Sequence, residues 1–235
     1  MKPKLSDSDR TLEFFNGALR TRILDEPDCA FAFEAQFRFD DPLAAELSAP
    51  SPSHFHPYQD EYIQVVHGQI VVQLEGQEQI RSAEDGELCI KAWTNHSWWP
   101  LQPTSSSVGG KPSSDTRVLL WGQNTTSALD LQADILFFEN LYQYRDDTVK
   151  NKIEMNIFQL LCMFDAGGSY LSPPRWIPFG QHISRFAGIA LGRWLGSSMG
   201  YQPYYRKWSS DWDLACSRMH KCVFQRRFVE PSDAR

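Results

Sequence analysis

Residues His54 to Gly68 read HFHPYQDEYIQVVHG, and their types and spacing suit metal chemistry. His54 and His56 stand one residue apart, Glu61 follows after four intervening residues, and Gly68 closes the segment. On a strand, side chains alternate faces, so both histidines point one way and Phe55 the other. Pro57 starts a turn, Glu61 opens the apolar run Tyr62 to Val66, and Gln69 to Leu74 returns after the tight-turn pair His67-Gly68. This pattern predicts a hairpin with Glu61 beside the two histidines on its inner face. Two imidazoles and one carboxylate suit a divalent transition metal: Fe, Mn, Ni, Cu or Zn. A fourth candidate ligand, His96, follows the apolar run Leu88 to Ile90. If Leu88 to Trp93 is a strand of the same sheet, His96 enters from a neighbouring strand end. Three imidazoles and one carboxylate would leave up to two positions of an octahedral metal for water or substrate. A lone His-x-His pair is commonly two surface histidines, so the weight rests on the whole set.

Several neighbours are candidates for further roles. Tyr58 and Asp60 flank the ligands and are candidate catalytic residues for moving a proton. Lys91 is a third, able to reach an anionic substrate group. For all three, a solvent-facing side chain is the plain alternative. Phe33, Phe37, Trp93, Trp98 and Trp99 are candidate walls of a pocket for a bulky apolar substrate, although a barrel-face phenylalanine is core more often than pocket.

At these residues the chain resembles the cupin superfamily. The first cupin motif asks for His-x-His, four residues, Glu, six residues and Gly, which His54, His56, Glu61 and Gly68 supply. Ser48 stands in place of its leading glycine. Of the second motif only His96 is clear: Lys91 takes the proline place, Trp93 the glycine place and Pro100 the asparagine place, and Asp85-Gly86 reverses the expected order. A narrower resemblance is to small cupins of fungal natural-product pathways, through the aromatic-rich Trp93 to Trp99 and a helical tail. The resemblance implies a mainly β protein, one jelly-roll barrel with a C-terminal helical extension. It also implies a metal-dependent enzyme tailoring a polyketide or terpenoid intermediate, and N-terminal strands that pair across a homodimer.

The elements that must position these residues follow from patterning. Phe31, Phe33, Phe37 and Phe39 alternate with polar residues, so Cys29 to Phe39 reads as a half-buried strand. Thr11 to Leu24 reads as strand, and Asp40 to Ser53 as a connection with a short helical turn. Gln77 to Ser82 is a short strand, Asp85-Gly86 signals a hairpin, and Arg117 to Gly122 is the last core strand. Pro100 to Asp115 is a Ser/Pro/Gly-rich loop that is either a lid or a surface loop. From Asp134 the period becomes helical, which sets the expected domains at 1–133 and 134–235, the second packed on the first. Lys152 to Asp165 and Gln181 to Ser197 read as helices. Gly188, Gly192 and Gly196 align on one flank where another backbone can approach. Tyr201 to Trp212 is rich in aromatics, and Val223 to Val229 reads as a final strand. Cys216, His220 and Cys222 are too few for a second metal site.

Composition bounds the function. The chain has 235 residues, 42% hydrophobic, enough for a full core. Five scattered cysteines argue for reduced thiols. With Met1 to Asp9 polar and no leader-like apolar stretch behind it, a cytoplasmic setting is expected. No run is long enough to span a membrane, though Gln181 to Ser197 leaves weak membrane-surface contact open. Residues 1–134 carry a net charge of −10 and residues 135–235 a net of +4. The absence of a dense Lys/Arg patch argues against nucleic acid. The function classes left are an oxidising or Lewis-acid enzyme, a non-redox cyclase, isomerase or pericyclase, and a small-ligand binder without catalysis.

Overall fold

The structure, a computed structural model, describes Pro3 and residues 10–102, 115–125 and 131–229, without the side chains of residues 44 and 45. Most of Met1 to Asp9, and residues 103–114 of the expected lid, lie outside the described residues. The chain forms two compact units, Met1–Asn124 and Thr125–Arg235. The boundary thus falls earlier than the change of period at Asp134 suggested.

The first unit is built from two antiparallel sheets. One runs in the order β1 (Arg10–Phe14), β2 (Leu19–Ile23), β3 (Cys29–Arg38), β10 (Asp115–Gln123), β5 (Glu61–His67) and β8 (Glu87–Ile90). The other includes β4 (His54–Phe55), β9 (His96–Pro100), β6 (Gln69–Leu74) and β7 (Gln77–Ser82), in that order. A four-residue helix, α1 (Ala44–Leu47), lies in the connection before β4. The expected strand over 11–24 is broken by a turn at Phe15–Gly17, with Phe15 and Asn16 in the left-handed region.

Two expected hairpins are corners between sheets. β5 pairs with β10 and β8, whereas β6 pairs with β7 and β9. Gly68 alone makes the switch, at φ 76°, and a Cβ there would lie 2.4 Å from Thr116 Oγ1. Gly86, at φ 67°, carries the chain from β7 in one sheet to β8 in the other. Period two then fills the interior: Phe31, Phe33, Ala35 and Phe37 of β3, Ile63 and Val65 of β5, and Val118 and Leu120 of β10 are all buried.

The second unit is helical. Asp134 caps α2 (Ile135–Asn151) by accepting the Phe137 amide hydrogen bond, and Asn156 caps α3 (Ile157–Ala166). A long helix follows: α4 (Gly180–Ala187), a π stretch over Gly188–Gly196, and a last turn, α5 (Ser197–Met199). The glycine flank meets its expected neighbour, since a Cβ on Gly192 would lie 2.4 Å from the Leu161 carbonyl oxygen of α3. The aromatic segment runs into a helix, α6 (Trp212–His220). The strand expected over Val223 to Val229 is instead a set of turns and a short 3₁₀ helix at Arg226–Phe228.

Candidate metal centre

The four expected ligands come from three places in the barrel. His54 sits on β4 directly opposite His96 on β9, so both side chains lie on one face of that sheet. His56 follows just beyond β4, its carbonyl accepting the Trp93 amide at 2.9 Å. Glu61 opens β5 in the opposing sheet, paired with Gly122 of β10. His96 therefore starts a strand of the sheet that carries His54, while the run before it, β8, belongs to the other sheet.

One donor atom from each of His54, His56, Glu61 and His96 lies within 4.8 Å of all the others. Among the described residues this is the one such group of His, Cys, Asp and Glu. His56 and Glu61 are 5% exposed and His96 is 1% exposed. Glu61 Oε2 stands 3.2 Å from His56 Nε2 and 3.4 Å from His96 Nε2. Bonds of about 2.1 Å from a metal to such donors would hold neighbouring donors roughly 3 Å apart.

The protonation states fit metal binding. His54 Nδ1 lies 3.0 Å from the Pro52 carbonyl and His96 Nδ1 lies 2.9 Å from the Thr94 carbonyl. A carbonyl only accepts, so each Nδ1 donates to it, which fixes the orientation of each ring. The buried Nε2 of His96 has no hydrogen-bond partner, an orphan that an electrophile would satisfy. Burial, with the other imidazoles, pushes His54 well below the ordinary histidine range, and burial also lowers His56. Burial opposes ionisation of Glu61, but the His56 and His96 rings outweigh it and hold its carboxyl far below the ordinary range. The site thus sets an ionised carboxylate beside the buried rings of His56 and His96.

The other expected residues are placed as follows. Asp60 and Lys91 are joined to each other at 2.8 Å, and Asp60 also accepts the Ala92 amide at 2.8 Å. Burial pushes Asp60 up, and Lys91 with the Ala92 amide outweighs it, leaving its carboxyl below the ordinary range. This carboxylate secures the connection that leads to His96, and Lys91 is exposed. Tyr58 is half-buried. Trp98 shares its strand face with His96 by alternation and meets Phe37 edge-on at 5.8 Å. Trp99 takes the opposite face. Trp93 stacks on Phe55 at 5.5 Å, behind the His-x-His pair. Phe33 is buried in the core and Phe37 lies toward the far end of β3, level with Thr116.

Sequence reasoning missed Gln59 and Gly122, and offered Phe31 only as one member of the Phe31, Phe33, Phe37 and Phe39 face. Phe31 and Glu61 both pair with Gly122. A Cβ on Gly122 would lie 2.4 Å from Phe31 Cε1 and 2.9 Å from Gln59 Nε2. Gln59 is buried and donates to the Gln123 carbonyl at 2.8 Å. The phenylalanine was visible as part of the alternating strand, but nothing in the sequence marked it over Phe33.

Two antiparallel sheets joined by glycine corners, with a His₃Glu set between them, define the class: this is a cupin barrel. No family model matches the chain. Among curated proteins, probable oxidoreductase yanE of Aspergillus niger is 34% identical over 222 residues, covering 92% of this chain and 82% of its own length. Oxidoreductase macE of Penicillium terrestre is 37% identical over 229 residues, covering 92% and 83%. Epoxidase atD of Aspergillus terreus is 33% identical over 183 residues, covering 78% and 54%. The chain belongs to the family of fungal oxidoreductases that includes yanE and macE. Among solved structures, an RmlC-like cupin from Shewanella frigidimarina matches at 13% identity and a TM-score of 0.35, over 54% of this chain and 94% of that one. KdgF from Halomonas matches at 18% and 0.35, over 52% and 94%. Among the described residues no helix is long and apolar enough to cross a membrane.

Proposed function

We propose that this protein is a metal-dependent cupin oxidoreductase that oxidises a bulky, apolar, oxygenated small molecule of polyketide or terpenoid type. The observation that carries the reading is the convergence of four donor atoms within 4.8 Å, from residues on both sheets. His54, His56, Glu61 and His96 would hold a divalent transition metal, which when bound supplies redox chemistry or Lewis acidity beside the substrate. The chain's own part is to present three imidazoles beside an ionised carboxylate. Trp98, on the strand face of His96, and Phe31, beside Gly122 and Glu61, offer apolar surface for a substrate. Asp60 keeps the connection before His96 in place through Ala92 and Lys91. The names of the relatives, oxidoreductases and an epoxidase, favour oxidation over cyclisation.

The test is metal analysis of the purified chain beside His96→Ala. The expected result is close to one transition metal per wild-type chain and below about a tenth of that in the variant, since one of few ligands is lost. Bound iron supports oxidation. Bound zinc would turn the reading to Lewis-acid chemistry, and a wild-type chain that stays empty in each metal would overturn it.

A further inference from the structure

The turn between β6 and β7 carries a residue that its conformation does not favour. Glu75 has φ 48° and Gly76 has φ 77°, both in the left-handed region, and the pair joins Leu74 to Gln77 as a tight hairpin turn. Glycine, asparagine or aspartate is the usual occupant of the first of those positions. A glutamate there is a backbone outlier, which points to a role for its side chain beyond the turn.

That side chain is engaged by Asn95. Glu75 Oε1 accepts the Asn95 amide at 2.7 Å, and Asn95 Nδ2 donates to Oε1 at 3.2 Å and to Oε2 at 3.0 Å. In return the Glu75 amide donates to the Asn95 carbonyl at 2.8 Å. Both residues are half-buried, which strengthens hydrogen bonds to a carboxylate. The neighbouring register pair is Leu74 with His96, so the clamp closes on the start of β9.

Asn95 matters through the peptide it shares with Thr94. The N–H of Asn95 and the C=O of Thr94 belong to one planar unit and point in opposite directions. The first donates to Glu75, and the second accepts from His96 Nδ1 at 2.9 Å. A carboxylate, a peptide and an imidazole therefore stand in series, and each hydrogen bond polarises the next. The earlier part of the connection is held by other groups: Asp60 accepts the Ala92 amide, and the His56 carbonyl accepts the Trp93 amide. We propose that Glu75 is a positioning residue for His96, which acts through the Thr94–Asn95 peptide to aim the ring at the other ligands and to strengthen it as a donor to a metal. This rests on the reading of His96 as a metal ligand.

Two readouts on the full chain test it, with Glu75→Gly as the variant, because glycine suits the left-handed turn and only the carboxylate is lost. The first is NMR of the metal-free chain with isotope-labelled histidine, following exchange of the His96 Nδ1 proton with water. His54, held by the Pro52 carbonyl, is the internal reference. The expected result is faster exchange at His96 in the variant and no change at His54. The second is cobalt(II) titration against a competing chelator, where the variant should bind about 10-fold more weakly, with a shifted visible spectrum of the bound ion. Should Glu75→Gly fail the circular-dichroism check of folding, Glu75→Gln keeps an acceptor for the Asn95 amide without the charge, and a smaller change in the same direction is expected. Unchanged exchange at His96, or unchanged cobalt affinity and spectrum, would overturn the proposal, even if the variant were less stable. A wild-type chain that takes up no cobalt would fail the metal reading itself, and the exchange measurement would still decide whether Glu75 orients the ring.

Discussion

At the scale of single residues, position 93 shows how local geometry and packing compete. Trp93 has φ 68°, in the left-handed region, and it occupies the place of the glycine in the second cupin motif. That conformation costs a side chain about 1–2 kcal/mol, and stacking on Phe55 offsets part of it. Removing the ring while keeping a Cβ retains the strain without the stack. Trp93→Ala should therefore be less stable than Trp93→Gly by about 1 kcal/mol in urea unfolding, the reverse of the usual order. Equal stabilities would refute the strain. Gly122 makes the opposite case. Gly122→Ala should lower stability by about 1–3 kcal/mol, because Phe31 and Gln59 occupy the space. The convergence of His54, His56, Glu61 and His96 was legible because a fixed spacing on strands is a property of sequence alone. Gly122 was not, because its importance comes from a partner strand roughly 90 residues away.

At the scale of elements, strand positions were read well and strand partners badly. Gly68 and Asp85-Gly86 are turn residues whether the chain folds back beside itself or crosses to the other sheet. Nothing local distinguishes the two, so corners were read as hairpins. The glycine flank of the long helix was legible, since spacing of four is a pattern, but the π winding was not. The close approach there gives a prediction. Gly192→Ala places a Cβ 2.4 Å from a backbone oxygen of α3, which cannot rotate away. It should cost about 2 kcal/mol or more by denaturant unfolding and leave the metal content unchanged. A loss below 0.5 kcal/mol, within the range of ordinary surface changes, would mean that the helices part freely.

At the scale of the whole molecule, two units differ in what stabilises them. The first has a ligand set that only the folded chain assembles, so a bound ion stabilises it by mass action. Chelation should lower the melting temperature of metal-loaded protein, by the equivalent of about 2.7 kcal/mol at a hundredfold excess of metal over Kd. His54→Ala should remove that difference. The second unit buries a thiol: burial raises Cys162 to about 12, while the described Cys29, Cys89, Cys216 and Cys222 are all partly exposed. Native alkylation at pH 8 should thus spare Cys162 and reach it only after unfolding, as read by peptide mass. The change to a helical period after Asp134 was legible, but the polar interior of the second unit was not. Asp165 meets Arg193 at 2.6 Å inside it.

The acceptors that orient His54 and His96 are the main-chain oxygens of residues 52 and 94. Every amino acid supplies that oxygen, so no substitution at either position can delete it. The orientation of both rings is therefore carried by the backbone path and not by the side chains at those two positions. A survey of variation across relatives would pass over them, and only coordinates reveal that they steer the ligands.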